Sequence, residues 1–186
     1  LYPETAVALG VIKNRGVEWA YNQFEQWIWR RADALVVPSE LMIEKLCEAG
    51  VPRDRVNIIH NAYNSARTSA DRLDVAVPKW DDEFIVAYTG GMGYAPDIPT
   101  ILDAAARLRG QDIRFIFLGD GERKAEYQRR CERQGLDNCT FLQPVPRREV
   151  GAYLDRADAC VHALYDERVW ELALPNKVFE YMWHRK

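Results

Sequence analysis

The chain reads as α/β: an open, mostly parallel sheet with helices on both faces. Three observations predict this. Short apolar runs rich in β-branched and aromatic residues alternate with stretches of helical period. The runs are apolar almost throughout, as strands covered on both faces must be, rather than alternating as half-exposed strands do. Each run leads into a short turn, and two of those turns are rich in glycine.

The elements follow in order. Residues Val17 to Ala34 read as a helix, with Ala20, Phe24, Trp27 and Ile28 on one face. "ADALVVPS" is a short strand ended by Pro38, and Ser39 is the N-cap of a helix running to Gly50. "RVNIIHNAY" is another strand, ending near Asn61. From Ser65 to Lys79 the chain is polar and without period, so it reads as a linker between domains. A regular alternation then begins. Strand Phe84–Tyr88 leads through "TGGMG" to a helix over Pro99–Leu108, with Ile101, Ala104, Ala105 and Leu108 turned inward. Strand Ile113–Leu118 leads through "GDGERK" to a charged helix ending at Gln134. Strand Cys139–Leu142 leads through "QPVP" to a helix over Arg147–Leu154. Strand Ala159–Ala163 leads to a final helix starting at about Asn176.

Composition narrows the function. The 186 residues are 48% hydrophobic and 28% charged, which suits a globular protein with a sizeable core. A net charge of −3 argues against a broad nucleic-acid-binding surface. Cys47, Cys131, Cys139 and Cys160 form no C-x-x-C pair and lie at no zinc-finger spacing from a histidine, so they read as thiols in a reducing cytoplasm. No apolar run approaches the roughly 20 residues of a membrane span, and no secretory signal is apparent. The absence of an initiator Met and an ending within a helical pattern suggest a piece of a longer protein.

In an open parallel sheet, ligands bind beyond the carboxyl ends of the strands. Gly90, Gly91 and Gly93 would let a backbone approach a bulky anion ahead of a helix N-terminus, or would simply form a tight turn. They match neither a dinucleotide fingerprint, because Pro96 stands where its last glycine belongs, nor a P-loop. Gly119 and Gly121 carry the same two readings. Arg123 and Lys124, which follow them, either reach a diphosphate or lie on a solvated face. "ALPNKVFEYM" is more specific. Asn176 is positioned as an N-cap, and Lys177 falls in the first turn, where the helix dipole disfavours a cation. A lysine placed against that preference points to an anion. Glu180 lies one turn on, on the same side, and a carboxylate there suits the vicinal hydroxyls of a ribose. The alternative is an ordinary surface Lys–Glu pair.

Taken together, "ADALVVPSELMIEKLCEAGVPRDRVNIIHNAYN", "VAYTGGMGYAPDIPTILDAAARL", "FIFLGDGERK", "NCTFLQPVP", "YLDRADACVHAL" and "PNKVFEYM" resemble the family 4 glycosyltransferases. The likeness extends to the bacterial branch of amino-sugar transferases that build O-antigen and capsule and resemble fucosaminyltransferases. It covers almost the whole chain. It implies the GT-B fold, in which two Rossmann-like domains face a cleft, and it makes this chain a fragment lacking both ends. Residues 1–70 would be part of the acceptor-side N-terminal domain, 71–82 the linker, and 83–186 a truncated donor-binding C-terminal domain.

The resemblance implies a retaining transfer from a nucleotide diphosphate sugar, UDP being the expected nucleotide, to an acceptor hydroxyl in surface polysaccharide synthesis. It implies no cofactor and no metal, and the sequence has no D-x-D pair. Glu180 matches the ribose-binding glutamate, Val145 the position whose backbone reads the base, and Gly90, Gly91 and Gly93 the turn at the diphosphate and sugar. Lys177 matches a lysine expected at phosphate, with Asn176 beside it, and Asn61 matches a structural asparagine.

The chain departs from the family where a basic pair usually holds the β-phosphate, since Gly91 and Pro96 stand there; Arg123 and Lys177 are then the expected substitutes. The family's second glutamate would fall about two helical turns before Glu180. That position is Leu172, so the catalytic group is unassigned and Glu171, one place off, is its nearest candidate. The implied acceptor is a glycan or lipid-linked sugar. The implied location is cytoplasmic, with peripheral contact at the inner face of the plasma membrane as one reading of the Trp-rich first helix. Packing of those aromatics in a domain core is the favoured reading. A non-catalytic nucleotide-binding domain and a GT-B nucleotide-sugar 2-epimerase are the alternatives.

Overall fold

A computed structural model describes residues 6–7, 10, 12–63, 77–78, 80, 82–166, 168–172 and 174–186. The chain divides into two compact units, residues 1–62 with 166–175 and residues 63–165 with 176–186. The expected linker over 71–82 lies largely outside the described residues.

The first unit contains α1 (Arg15–Arg31), β1 (Leu35–Val37), α2 (Glu40–Glu48), a 3₁₀ turn (Arg53–Arg55) and β2 (Val56–Ile58). β1 and β2 pair in parallel, Leu35 opposite Val56. Val37, Ile43, Leu46, Val51 and Val56 make a small core, with Trp29 packed against it. Asn14 caps α1 by accepting from the Gly16 and Val17 amides. The face expected to turn inward does not: Phe24 is 58% and Trp27 51% exposed, Ile28 and Ala20 are exposed as well, and no residue of α1 is buried. The helix instead turns Trp29 to the core, and Arg30 Nε donates to the Ala49 carbonyl. The described sheet of this unit has two strands, and only the Trp29 side of the 17-residue helix packs on its core. The strand expected to end near Asn61 stops at Ile58. Asn61 itself donates from Nδ2 to the Leu174 carbonyl at 2.7 Å, which ties two distant parts of this unit together.

The second unit contains β3 (Phe84–Thr89), α3 (Ile98–Arg107), β4 (Ile113–Leu118), α4 (Lys124–Gln134), β5 (Cys139–Leu142), α5 (Arg147–Arg156), β6 (Ala159–Cys160) and α7 (Asn176–Trp183). Between β6 and α7 the chain carries a single turn of helix, α6 (Arg168–Glu171), in the first unit. The sheet is parallel throughout, in the order β5-β4-β3-β6. The chain builds outward from β3 to β5 and then returns to place β6 on the other side of β3.

Residues of β3 and β4 alternate between two cores. Tyr88, Phe115 and Phe117 pack with Ile98, Ile101 and Leu102 of α3 and with Tyr127 and Cys131 of α4. Ile85, Ala87 and Ile116 pack on the opposite face with Ala157, which ends α5. Helices thus cover both sides. β6 is shorter than the expected Ala159–Ala163, because pairing with β3 involves only Ala159 and Cys160. Beyond it, Leu164 bridges to Pro96.

Candidate functional site

The strand order reverses between β3 and β6, and that is where the carboxyl ends of an open sheet leave a crevice. β3 ends in Tyr88 and Thr89 and opens into the glycine turn. α7 is fastened there by one face: Tyr181 Oη accepts from the Thr89 amide at 3.0 Å, and Lys177, one turn earlier, meets Tyr88.

The geometry around Lys177 is specific. Its Nζ donates to Tyr88 Oη at 2.9 Å and stands 4.2 Å from the centre of that ring. Tyr88 Oη in turn donates to the Gly91 carbonyl at 2.7 Å. Burial lowers Lys177 to about 8, with Glu180 opposing the shift. Gly90 has φ +123, and a Cβ there would stand 3.0 Å from Lys177 Nζ, so the glycine leaves the ammonium its place against the turn. An added Cβ at Gly91 would meet nothing within 4 Å, whereas one at Gly93 would lie 3.1 Å from Glu122 Oε2.

Glu180 lies one turn along from Lys177. Its side chain is 2% exposed, and Oε1 has no hydrogen-bond partner. Arg147 Nη2, at the start of α5, is 3.3 Å from that oxygen, close enough for attraction but not aligned to donate. Burial pushes the carboxyl up, and Arg147, His184 and Lys177 pull it back. A buried carboxylate with an unmatched oxygen is costly unless something completes it. Val145, two residues before Arg147, is half-buried in the loop between β5 and α5.

The glycines after β4 have a clear cause. A Cβ at Gly119 would lie 2.1 Å from the Gly90 carbonyl oxygen, and one at Gly121 would lie 2.4 Å from the Met92 carbonyl carbon. The two turns pack backbone against backbone, joined by Gly90 N–H to the Leu118 carbonyl and Met92 N–H to the Asp120 carbonyl. The second turn therefore shapes the first. Lys124 also belongs to this scaffold and corrects the reading of it as a diphosphate ligand. Its ammonium is buried and donates to the Gly119 and Leu142 carbonyls, bracing α4 against the ends of β4 and β5. Arg123 is engaged as well, held bidentate by Glu126 and donating to Tyr165 Oη. Its guanidinium also sits 5.1 Å from the Tyr127 ring centre. Asn176 is the first residue of α7 rather than its cap. Glu171 is exposed at the end of α6.

Three contributors escaped the sequence. Tyr88 read as an apolar strand residue, yet it orients Lys177. Tyr181 has the helical spacing from Lys177 that would have found it. His162 follows β6, its ring centre 6.4 Å from that of Tyr88, and both its ring nitrogens are buried without partners. Burial, with Lys177 adding to it, lowers His162 to about 4, so the ring is neutral at pH 7. Among the described residues no group of His, Cys, Asp and Glu could hold a metal ion.

Comparison with known proteins places this fold in a class. Residues 83–186 match the family described as glycosyl transferases group 1, and residues 4–62 match the glycosyl transferase 4-like domain. The chain belongs to the group 1 glycosyltransferases. It is 26% identical over 162 residues to the putative colanic acid biosynthesis glycosyl transferase WcaI of Escherichia coli (strain K12), covering 83% of this chain and 39% of that protein. It is 24% identical to the probable glycosyltransferase WbjE of Pseudomonas aeruginosa, over 96% of this chain and 46% of that one. The chain therefore spans less than half the length of these relatives.

Anabaena Alr3699/HepE, solved in complex with UDP-glucose, superposes with a TM-score of 0.67 at 17% identity, over 86% of this chain and 44% of that one. WaaG, a glycosyltransferase involved in lipopolysaccharide biosynthesis, gives 0.66 at 15% identity, over 90% and 49%. These likenesses establish the GT-B-type fold.

Proposed function

We propose that residues 83–186 bind the nucleoside diphosphate of a sugar donor, with UDP the expected nucleotide. The whole protein would then transfer the sugar, with retention, to a glycan or lipid-linked acceptor in surface polysaccharide synthesis. Glu180 carries this reading: it is a buried carboxylate with an unmatched oxygen, one turn from a half-buried lysine, beside the crevice where the strand order reverses. A ribose offers two vicinal hydroxyls, which would satisfy it. Lys177 and the N-terminus of α7 would meet the diphosphate, with Gly90 and Gly91 letting the backbone come close. The backbone at Val145 would read the base.

The same groups supply the chemistry. As the glycosidic bond breaks, negative charge grows on the diphosphate and positive charge on the sugar. A fixed ammonium and helix N-terminus at the diphosphate stabilise that separation, with no metal assigned a part. Binding the nucleoside away from the reacting carbon orients the sugar. The HepE complex with UDP-glucose supports a nucleotide sugar, the WcaI likeness a polysaccharide setting, and the WbjE likeness a glycosyl transfer. A cytoplasmic place is the expectation that goes with this reading. No described helix is long and apolar enough to cross a membrane.

The test is thermal unfolding of this chain with UDP, GDP, ADP and NAD, each at about 100 times the dissociation constant, where a site in the folded state adds roughly 2.7 kcal/mol. UDP should stabilise, and Glu180→Gln should remove most of that effect. Equal stabilisation of the variant, or none of the wild type by any nucleotide, would end this reading of residues 83–186.

A further inference from the structure

We propose that Arg147 is a positioning residue for the nucleoside. From the first turn of α5 its guanidinium covers Glu180, opposes the effect of burial on that carboxylate, and yields its place to the ribose. The proposal rests on the ribose reading of Glu180.

The two partners differ in freedom. Glu180 is 2% exposed and confined by packing, whereas Arg147 is 64% exposed and reaches inward from the surface. A ligand arriving at Oε1 can displace the arginine without disturbing the core. It cannot displace the carboxylate. Arg147 is also placed against local preference, since a cation in the first turn of a helix opposes the helix dipole. An opposing charge nearby accounts for that placement, and Glu180 is 3.3 Å away.

The surrounding charges make Arg147 the decisive one. From α7 and the turn that follows it, Lys177 and His184 also face Glu180, but His184 is engaged with Asp155 at 2.7 Å and Lys177 with Tyr88. The Tyr181 hydroxyl and the Cys160 thiol of β6 lie within its field too, and burial keeps both neutral. Burial already raises the Glu180 carboxyl and Arg147 is the largest charge opposing it, so loss of Arg147 would raise that titration further. A protonated carboxyl carries a donor of its own where two hydroxyls must both donate. The short loop that presents Val145 to the base also carries Arg147, so one piece of chain serves base, ribose and charge.

The experiment titrates the Glu180 carboxyl by carbon NMR in the wild-type chain, Arg147→Ala and Arg147→Lys, and measures UDP affinity in each between about pH 5 and pH 8. Glu180→Gln and 2′-deoxy-UDP serve as controls. Removing Arg147 should move the carboxyl titration upward. UDP affinity should then fall toward the acid side, approaching about tenfold per pH unit below that titration. Arg147→Lys should restore most of the wild-type profile. An unchanged Glu180 titration in Arg147→Ala overturns the proposal, as does a UDP profile parallel to wild type. The ribose reading fails separately, if Glu180→Gln binds UDP normally or if 2′-deoxy-UDP binds as well as UDP.

Discussion

The two units are made from the same parts, parallel strands joined through helices, yet they bury very different amounts of them. In the second, four strands are covered on both faces, and Ala87, Tyr88, Ile98, Leu102, Ile116 and Phe117 are wholly inaccessible. In the first, the two described strands support one small core, and α1 packs only Trp29 against it while Trp19, Phe24 and Trp27 stay exposed. α1 and α3 are both amphipathic by sequence. The difference teaches that periodicity marks a face which could be buried, while the extent of the neighbouring sheet decides whether it is.

The comparison breaks most easily at the contact between the glycine turns. Gly121→Val would drive a Cβ into the Met92 backbone at a φ of +158, so it should cost about 3 kcal/mol or more. Urea unfolding followed by circular dichroism measures this. A wild-type midpoint would show that the two turns can separate freely and that the second unit is looser than its packing implies.

A middle-sized effect is expected at Lys177, where stability and binding should part. Its folded value of about 8 lies below its ordinary 10.5. Between those values the unfolded chain holds the extra proton, so stability rises with pH across that window, and below it the cost of burying the charge is fully present. Lys177→Met should therefore unfold no earlier than wild type at pH 7. It should still lose roughly tenfold or more in UDP affinity, and wild-type affinity should decline above about pH 8. A variant that melts earlier yet binds UDP unchanged would make Lys177 a packing residue.

The smallest effect is expected on α1. Trp19 is 66% exposed, so Trp19→Ser should change stability by about 0.5 kcal/mol at most. A larger loss would mean that the aromatic face is covered in solution and that the two units are more alike than their burial suggests.

The proposed site was legible in the sequence where a residue stands against its local preference. Lys177, in a helix first turn, was visible for that reason, Glu180 by its spacing one turn later, and the glycines by their place after the strands. The division of labour among the cations was not legible. In the sequence Arg123 and Lys124 fit either a diphosphate or a solvated face, because whether a cation faces solvent, a carbonyl or an anion depends on strands far away in sequence. Lys124 is spoken for by carbonyls at the ends of β4 and β5, and Arg123 by Glu126 and Tyr165.

By itself the sequence determined the α/β class, the positions of the strands and helices to within a few residues, and the glycine turns that follow the strands. These depend on local period, caps and glycine, all of which act over a few residues. Only the tertiary structure decided which face of α1 points inward, and why Gly119 and Gly121 must be glycine. It alone brought Tyr88 to Lys177, 89 residues apart, and Arg147 to Glu180. Burial, charge pairing and backbone contact are set by what lies across space, and a linear pattern does not record that.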